Sequence, residues 1–323
     1  MKKGTKIWLI VATVLVLAGA VLFVLALQMA RFDFAKLSGA EYSTNTHTVT
    51  EEFDGIWIDT DTADVKLLPS EDGTVRVETT DREKLYHSVE VKDGVLNVRL
   101  EDERKWYDHI RFFGISKKQV TVYLPSGEYK ALTVTLSTGD VDVPAEFSFE
   151  AVKITGSTGD VSCRASASNS LTVEVSTGAI RVENVTVGTM SLTTSTGRIT
   201  VSSVDCKGDV SIKVTTGRTT VEEVNCQRFI SRGDTGKLLM KQVIAVENFS
   251  IERDTGDVTL DRCDAAEITV KTSTGDVTGT LLSDKIFFPE SDAGRIDVPR
   301  SMVGGKCEIT TDTGDIRFSV VAE

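Results

Sequence analysis

Apolar and polar residues alternate with period two through most of this chain, and a longer period of 19–20 residues is laid over that alternation. A recurring turn marks the long period, from Ser137-Thr138-Gly139-Asp140 and Ser157-Thr158-Gly159-Asp160 to Asp312-Thr313-Gly314-Asp315. Its glycines are Gly139, Gly159, Gly178, Gly197, Gly217, Gly236, Gly256, Gly275, Gly294 and Gly314, at intervals of 20, 19, 19, 20, 19, 20, 19, 19 and 20. Apolar residues keep phase with them. Val141, Val161, Ile180, Ile199, Leu238, Val258, Val277, Ile296 and Ile316 lie two after the glycine, and Val134, Ile154, Val173, Leu192, Ile212, Ile251, Val270 and Ile309 lie five before it.

Period-two alternation predicts strands with one face in and one face out. Each repeat therefore reads as strand, Thr-Gly bend, strand, corner, and the glycine suits a bend with positive φ. A constant period near 20 residues predicts stacked units that cannot fold singly. The expected fold is all-β: a single-stranded β-solenoid (β-helix) of about ten coils over residues 131–323, with structural turns at the ten glycines.

The preceding stretch lacks the motif. Asp61-Thr62-Ala63-Asp64-Val65 reads as a degenerate copy of the turn, because Ala63 lies 76 residues, four times 19, before Gly139. Val89 to Val98, with Asp93-Gly94 at its centre, reads as a hairpin. Residues 51–130 are expected to form an N-terminal β cap covering one end of the core, and residues 31–50 a polar stalk.

The N-terminus changes the picture. Ile7 to Ala30 runs 24 residues without a charge. As a helix that spans about 36 Å, enough for a hydrocarbon core. Lys2, Lys3 and Lys6 precede it, which predicts residues 1–6 in the cytoplasm, a transmembrane helix over 7–30, and the remainder outside the cell. A cleaved signal peptide is the alternative, although its apolar core is usually 7–15 residues. A net charge of -12 argues against nucleic acid as a partner. Five scattered cysteines do not make a disulfide framework.

The anchor, a strand ending in Leu124-Pro125 and the serial Ser-Thr-Gly-Asp-Val turns together resemble a bacterial adhesin-candidate family with β-strand repeats, a domain of unknown function, over roughly residues 50–320. The resemblance implies a cell-envelope β-solenoid, in some cases linked with envelope-stress genes. It implies no catalytic residue.

His47, His87 and His109 all precede the regular repeat, with neither a nucleophile motif nor metal-ligand spacing. The constant coil length leaves no insertions to wall a cleft. An enzyme is therefore not expected, and neither is a cofactor. Asp140, Asp160, Asp257, Asp276 and Asp315 follow the glycine, while Asp234, Asp254, Asp292 and Asp312 precede it by two. Stacked carboxylates repel unless a cation intervenes, and calcium is the obvious one. Local hydrogen bonding within each turn is the favoured reading. Arg181, Arg198, Arg218 and Lys237 form a basic band suited to a polyanion, or else a solvated face that fixes register.

Cys163, Cys263 and Cys307 fall at inward positions as core hydrophobes. Cys206 and Cys226 both lie nine after a glycine in neighbouring coils, within range of a disulfide. Trp106-Tyr107, Ile110 and Phe112-Phe113 suit either a contact loop or packing over the end of the core.

These readings combine into a single-pass envelope protein, an adhesin or surface binding scaffold whose partners are the membrane and a cell-wall polymer, glycan or envelope protein. An envelope-stress accessory or sensor is a second reading. Only six residues precede the span, so that role needs a membrane partner. A carbohydrate-active β-helix enzyme is a third. The strand Ile316 to Val321, ending the chain without a cap, predicts an open edge and homo-oligomers.

Overall fold

The computed structural model describes residues 3–29, 42–104 and 118–321. A helix, Lys3–Met29, precedes the sheet. Its Trp8–Leu25 stretch is apolar, unburied and long enough to cross a membrane, properties that an anchor and a signal sequence share. The described strands join one sheet wound into stacked parallel coils. This is the β-solenoid of about ten turns that the repeat predicts.

The phase of the apolar residues explains the stack. Ile154, five before its glycine, pairs in register with Val134 on one side and Val173 on the other. Val161, two after its glycine, likewise pairs with Val141 and Ile180. Like residues therefore pile into continuous buried columns, and no coil has a core of its own. A second corner recurs six residues after the glycine. Asn184, Ser203, Glu223, Gln242 and Arg262 hold left-handed φ of 52–57° there.

The N-terminal end departs from sequence order. Gly55–Thr62 pairs in parallel with Gly127–Thr138 on one side and with Val95–Asp102 on the other. Ala63 sits beneath Gly139, so the degenerate turn is a true member of the bend column. Residues 55–69 thus form a coil, and part of the expected cap over 51–130 belongs to the solenoid. The hairpin forms as expected, Leu85–Lys92 against Val95–Asp102, with Asp93 and Gly94 at φ 53° and 77°. Closure of this end comes from antiparallel pairing of Val75–Asp81 with Gln119–Leu124 and of Ser43–Val49 with Val75–Asp81. The expected stalk therefore ends in a strand. Its alternating Thr44, Thr46 and Thr48 are β-branched, and a paired neighbour turns that polar run into an edge. The aromatic run from Trp106 to Phe113 lies outside the described residues.

The C-terminal end is also out of order. Val258–Thr274 pairs with Gly305–Thr313, which pairs in turn with Lys285–Ala293. The final strand Ile316–Val320 is held between Val277–Leu281 and Ile296–Asp297. The expected open edge at the chain's end is therefore an inner rung. The terminal rung is the Gly294 coil, where Phe288 and Ile296 are exposed.

Candidate functional site

The structure places all ten bend glycines in one column. Nine have φ between 135° and 158°. A Cβ on Gly217 would lie 1.5 Å from the carbonyl oxygen of Gly197, and one on Gly159 would lie 1.9 Å from that of Gly139. The clash is with backbone, which cannot give way. Glycine is therefore required by the neighbouring coil as well as by the turn itself.

The aspartates that follow the bend glycine bond between coils, which corrects the expectation of bonding within each turn. Asp160 donates its backbone N–H to the Asp140 carboxylate at 2.8 Å, and Ala179 donates to Asp160 at 2.8 Å. Asp276 donates to Asp257 at 3.2 Å. Each carboxylate thus caps an N–H of the next rung, a charge-assisted bond that offsets repulsion between stacked acids. The described residues contain no cluster of His, Cys, Asp or Glu able to hold a metal.

The ladder breaks at Ala179, and the basic residues begin there. Arg198 and Arg218 pair in register and are exposed, and neither has an ion-pair partner among the described residues. Lys237 stands next in the column and bridges Asp257 at 2.7 Å, which holds that carboxyl below its ordinary range. Arg181 lies outside this column. It sits three residues after its glycine, level with Ser162, and approaches Glu183 at 3.7 Å. The structure thus brings three of the four predicted basic residues together.

All five cysteines are free and buried, Cys206 and Cys226 of the possible disulfide among them. Both thiols project into the core and contact carbonyls, Cys206 those of Gly188 and Asp209, Cys226 that of Ile244. Burial pushes the Cys226 thiol up to about 12, so the reactive thiolate is scarce.

Two arrangements escaped the sequence reading. In the first, His87 Nδ1 meets Asp81 Oδ1 at 2.7 Å and His87 Nε2 meets Thr60 Oγ1 at 3.0 Å. The order hydroxyl, imidazole, carboxylate matches that of a nucleophile, base and orienting acid. All three groups are buried, however, and the adjoining cavity is only about 70 Å³. The chain ties the Gly55–Thr62 coil to the cap. The period-two pattern gave a signal, since His87 and Asp81 sit at inward positions. The second is Arg253, an arginine at an inward position three before its glycine and 5% exposed.

A continuous parallel stack, a glycine column and a carboxylate ladder define a β-solenoid of bend-linked coils. The chain belongs to the Toastrack DUF4097 family, whose model matches residues 53–217 and 207–323. Among solved structures, a candidate adhesin from Parabacteroides distasonis is 14% identical, with 85% of this chain and 98% of that one covered at a TM-score of 0.44. A candidate lipid binding protein from the same species is 15% identical, covering 73% and 94%, at 0.45. A candidate adhesin from Parabacteroides merdae is 16% identical, covering 74% and 96%, at 0.42. No curated protein matches.

Proposed function

We propose that the protein is a non-catalytic cell-envelope scaffold, anchored by Lys3–Met29 with its N-terminus cytoplasmic, whose exported solenoid binds a polyanionic wall polymer, glycan or envelope protein. The observation that carries this reading is the stacking of exposed Arg198 on Arg218 without a carboxylate between them. Like charges on adjacent rungs, about 4.8 Å apart, repel. A chain of anionic groups laid along the rod relieves that repulsion and releases counterions in doing so. The Lys2, Lys3 and Lys6 cluster before the apolar helix supports the orientation.

The test is salt-dependent binding of the full chain in nanodiscs to polyglutamate and to poly(glycerol phosphate). Replacing Arg198, Arg218 and Lys237 together with Ser is expected to weaken binding at least tenfold at low salt and to flatten the salt dependence. Unchanged binding contradicts the proposal.

A further inference from the structure

Arg253 carries its charge into the core next to a position that breaks the repeat. Where eight of the other nine coils place Ile, Val or Leu five before the glycine, the coil below Arg253 places Ser231, which is fully buried. Three before the glycine that same coil has Gly233, in register with Arg253. A Cβ on Gly233 would come 3.0 Å from Arg253 Nη1. Small residues in one rung thus make room for the guanidinium of the next.

Its bonding is incomplete. Nη2 donates to Ser231 Oγ at 2.8 Å and Nη1 to the Glu252 carbonyl at 2.9 Å. A guanidinium has five N–H donors, and no carboxylate among the described residues pairs with this one. Burial alone lowers its pKa to about 10. In the coil above, Thr272 pairs in register with Arg253, is 4% exposed, and its Oγ1 has no hydrogen-bond partner. A buried charge without a counterion and a buried hydroxyl without a partner each cost free energy.

Both residues contribute to the wall of one groove of about 450 Å³. Lys213 and Lys271 stand on its rim, and so do Asp234, Asp254, Asp312 and the paired Arg232 and Glu252. We propose that this groove binds a singly charged oxoanion, a carboxylate or a phosphodiester, that pairs with the Arg253 guanidinium and accepts a hydrogen bond from Thr272 Oγ1. The rim lysines draw the anion in, and the rim aspartates disfavour a dianion such as inorganic phosphate. A carboxylate comes from an acidic sugar, a phosphodiester from a wall polymer or a lipid headgroup. The site shares no residue with the Arg198–Arg218–Lys237 column, so either proposal can fail without the other.

The experiment titrates the full chain in detergent with glucuronate, glycerophosphoglycerol and inorganic phosphate at pH 8 and constant ionic strength. The Arg253 side-chain N–H resonances and the thermal midpoint are followed. At least one of the two monoanions is expected to shift both, at least tenfold more tightly than phosphate, and which one does so identifies the source. Arg253→Met, which keeps the side-chain length, and Thr272→Val are each expected to weaken that binding at least tenfold. Arg253→Met is also expected to retain its thermal midpoint, because it removes an uncompensated charge. Neither monoanion acting beyond chloride, phosphate binding as tightly as either, or a folded Arg253→Met chain binding as wild type would overturn the proposal. Should Arg253→Met fail to fold, the Thr272→Val titration decides alone.

Discussion

Asp315 donates its backbone N–H to the carboxylate of Asp276 at 2.8 Å, across 39 residues of sequence, twice the repeat. Arg295, in the intervening coil, donates instead to Asp315 at 2.8 Å. The bend column therefore runs Gly256, Gly275, Gly314, Gly294, and the last coil to be made is inserted beneath the one before it. At the other end, Gly55–Thr62 is inserted between Val95–Asp102 and Gly127–Thr138. Both ends thus close by threading a later or earlier segment inward. Neither terminal rung lies at a terminus of the solenoid sequence.

The bend column sets the first prediction. Gly217→Ala forces a Cβ onto the Gly197 carbonyl at a φ of 150°. A loss of about 3–5 kcal/mol is expected, since clash and backbone strain add. Gly127→Ala, with nothing within 4 Å of the added carbon, is the control and is expected to stay within about 0.5 kcal/mol. Urea midpoints of the two variants check the contrast.

The second corner gives the opposite sign. Gln242 is exposed and holds φ 52°, a conformation costing a residue with a Cβ about 1–2 kcal/mol. Gln242→Gly removes that cost but frees the unfolded chain, so a net gain of about 0.5–1 kcal/mol is expected. A lowered urea midpoint would show that the corner is not strained.

Acid is expected to loosen the capped end first. Burial pulls the Asp81 carboxyl upward, but hydrogen bonds from Thr79, His87 and Asn45 outweigh it and hold the group below the ordinary carboxylate range. A carboxyl depressed on folding stabilises fully above its unfolded value near ~4 and loses that contribution as pH falls through the folded value. Trp57 fluorescence melts are expected to fall in midpoint below about pH 4 in the wild-type chain. Asp81→Asn should melt lower at pH 6 and show a shallower decline in acid. Equal acid slopes would remove Asp81 from the explanation.

The repeat, its inward columns and the bend glycines are legible in the sequence because burial on a strand follows period two. The order of coils is not. Every coil presents the same pattern of apolar residues and the same bend to its neighbours, so register is specified while the identity of the next coil is left open. The same equivalence hid the destination of the Asp140 carboxylate, since a turn and the turn above it both offer N–H groups. Ser43–Val49 reads as a stalk because its partner, Val75–Asp81, is distant in sequence. Arg253, Ser231 and Gly233 were legible in principle. Arg253 and Ser231 each violate an inward column, and Gly233, matched at its offset by Gly156, adds to the space that the side chain fills.

The stack with its last two coils exchanged is tested most directly by amide exchange after Asp276→Ala. The account predicts that the Asp315 amide exchanges at least tenfold faster, while the Arg295 amide, bonded to Asp315, keeps its protection. Selective loss of protection at Arg295 would mean that the coils stack in sequence order and would contradict it.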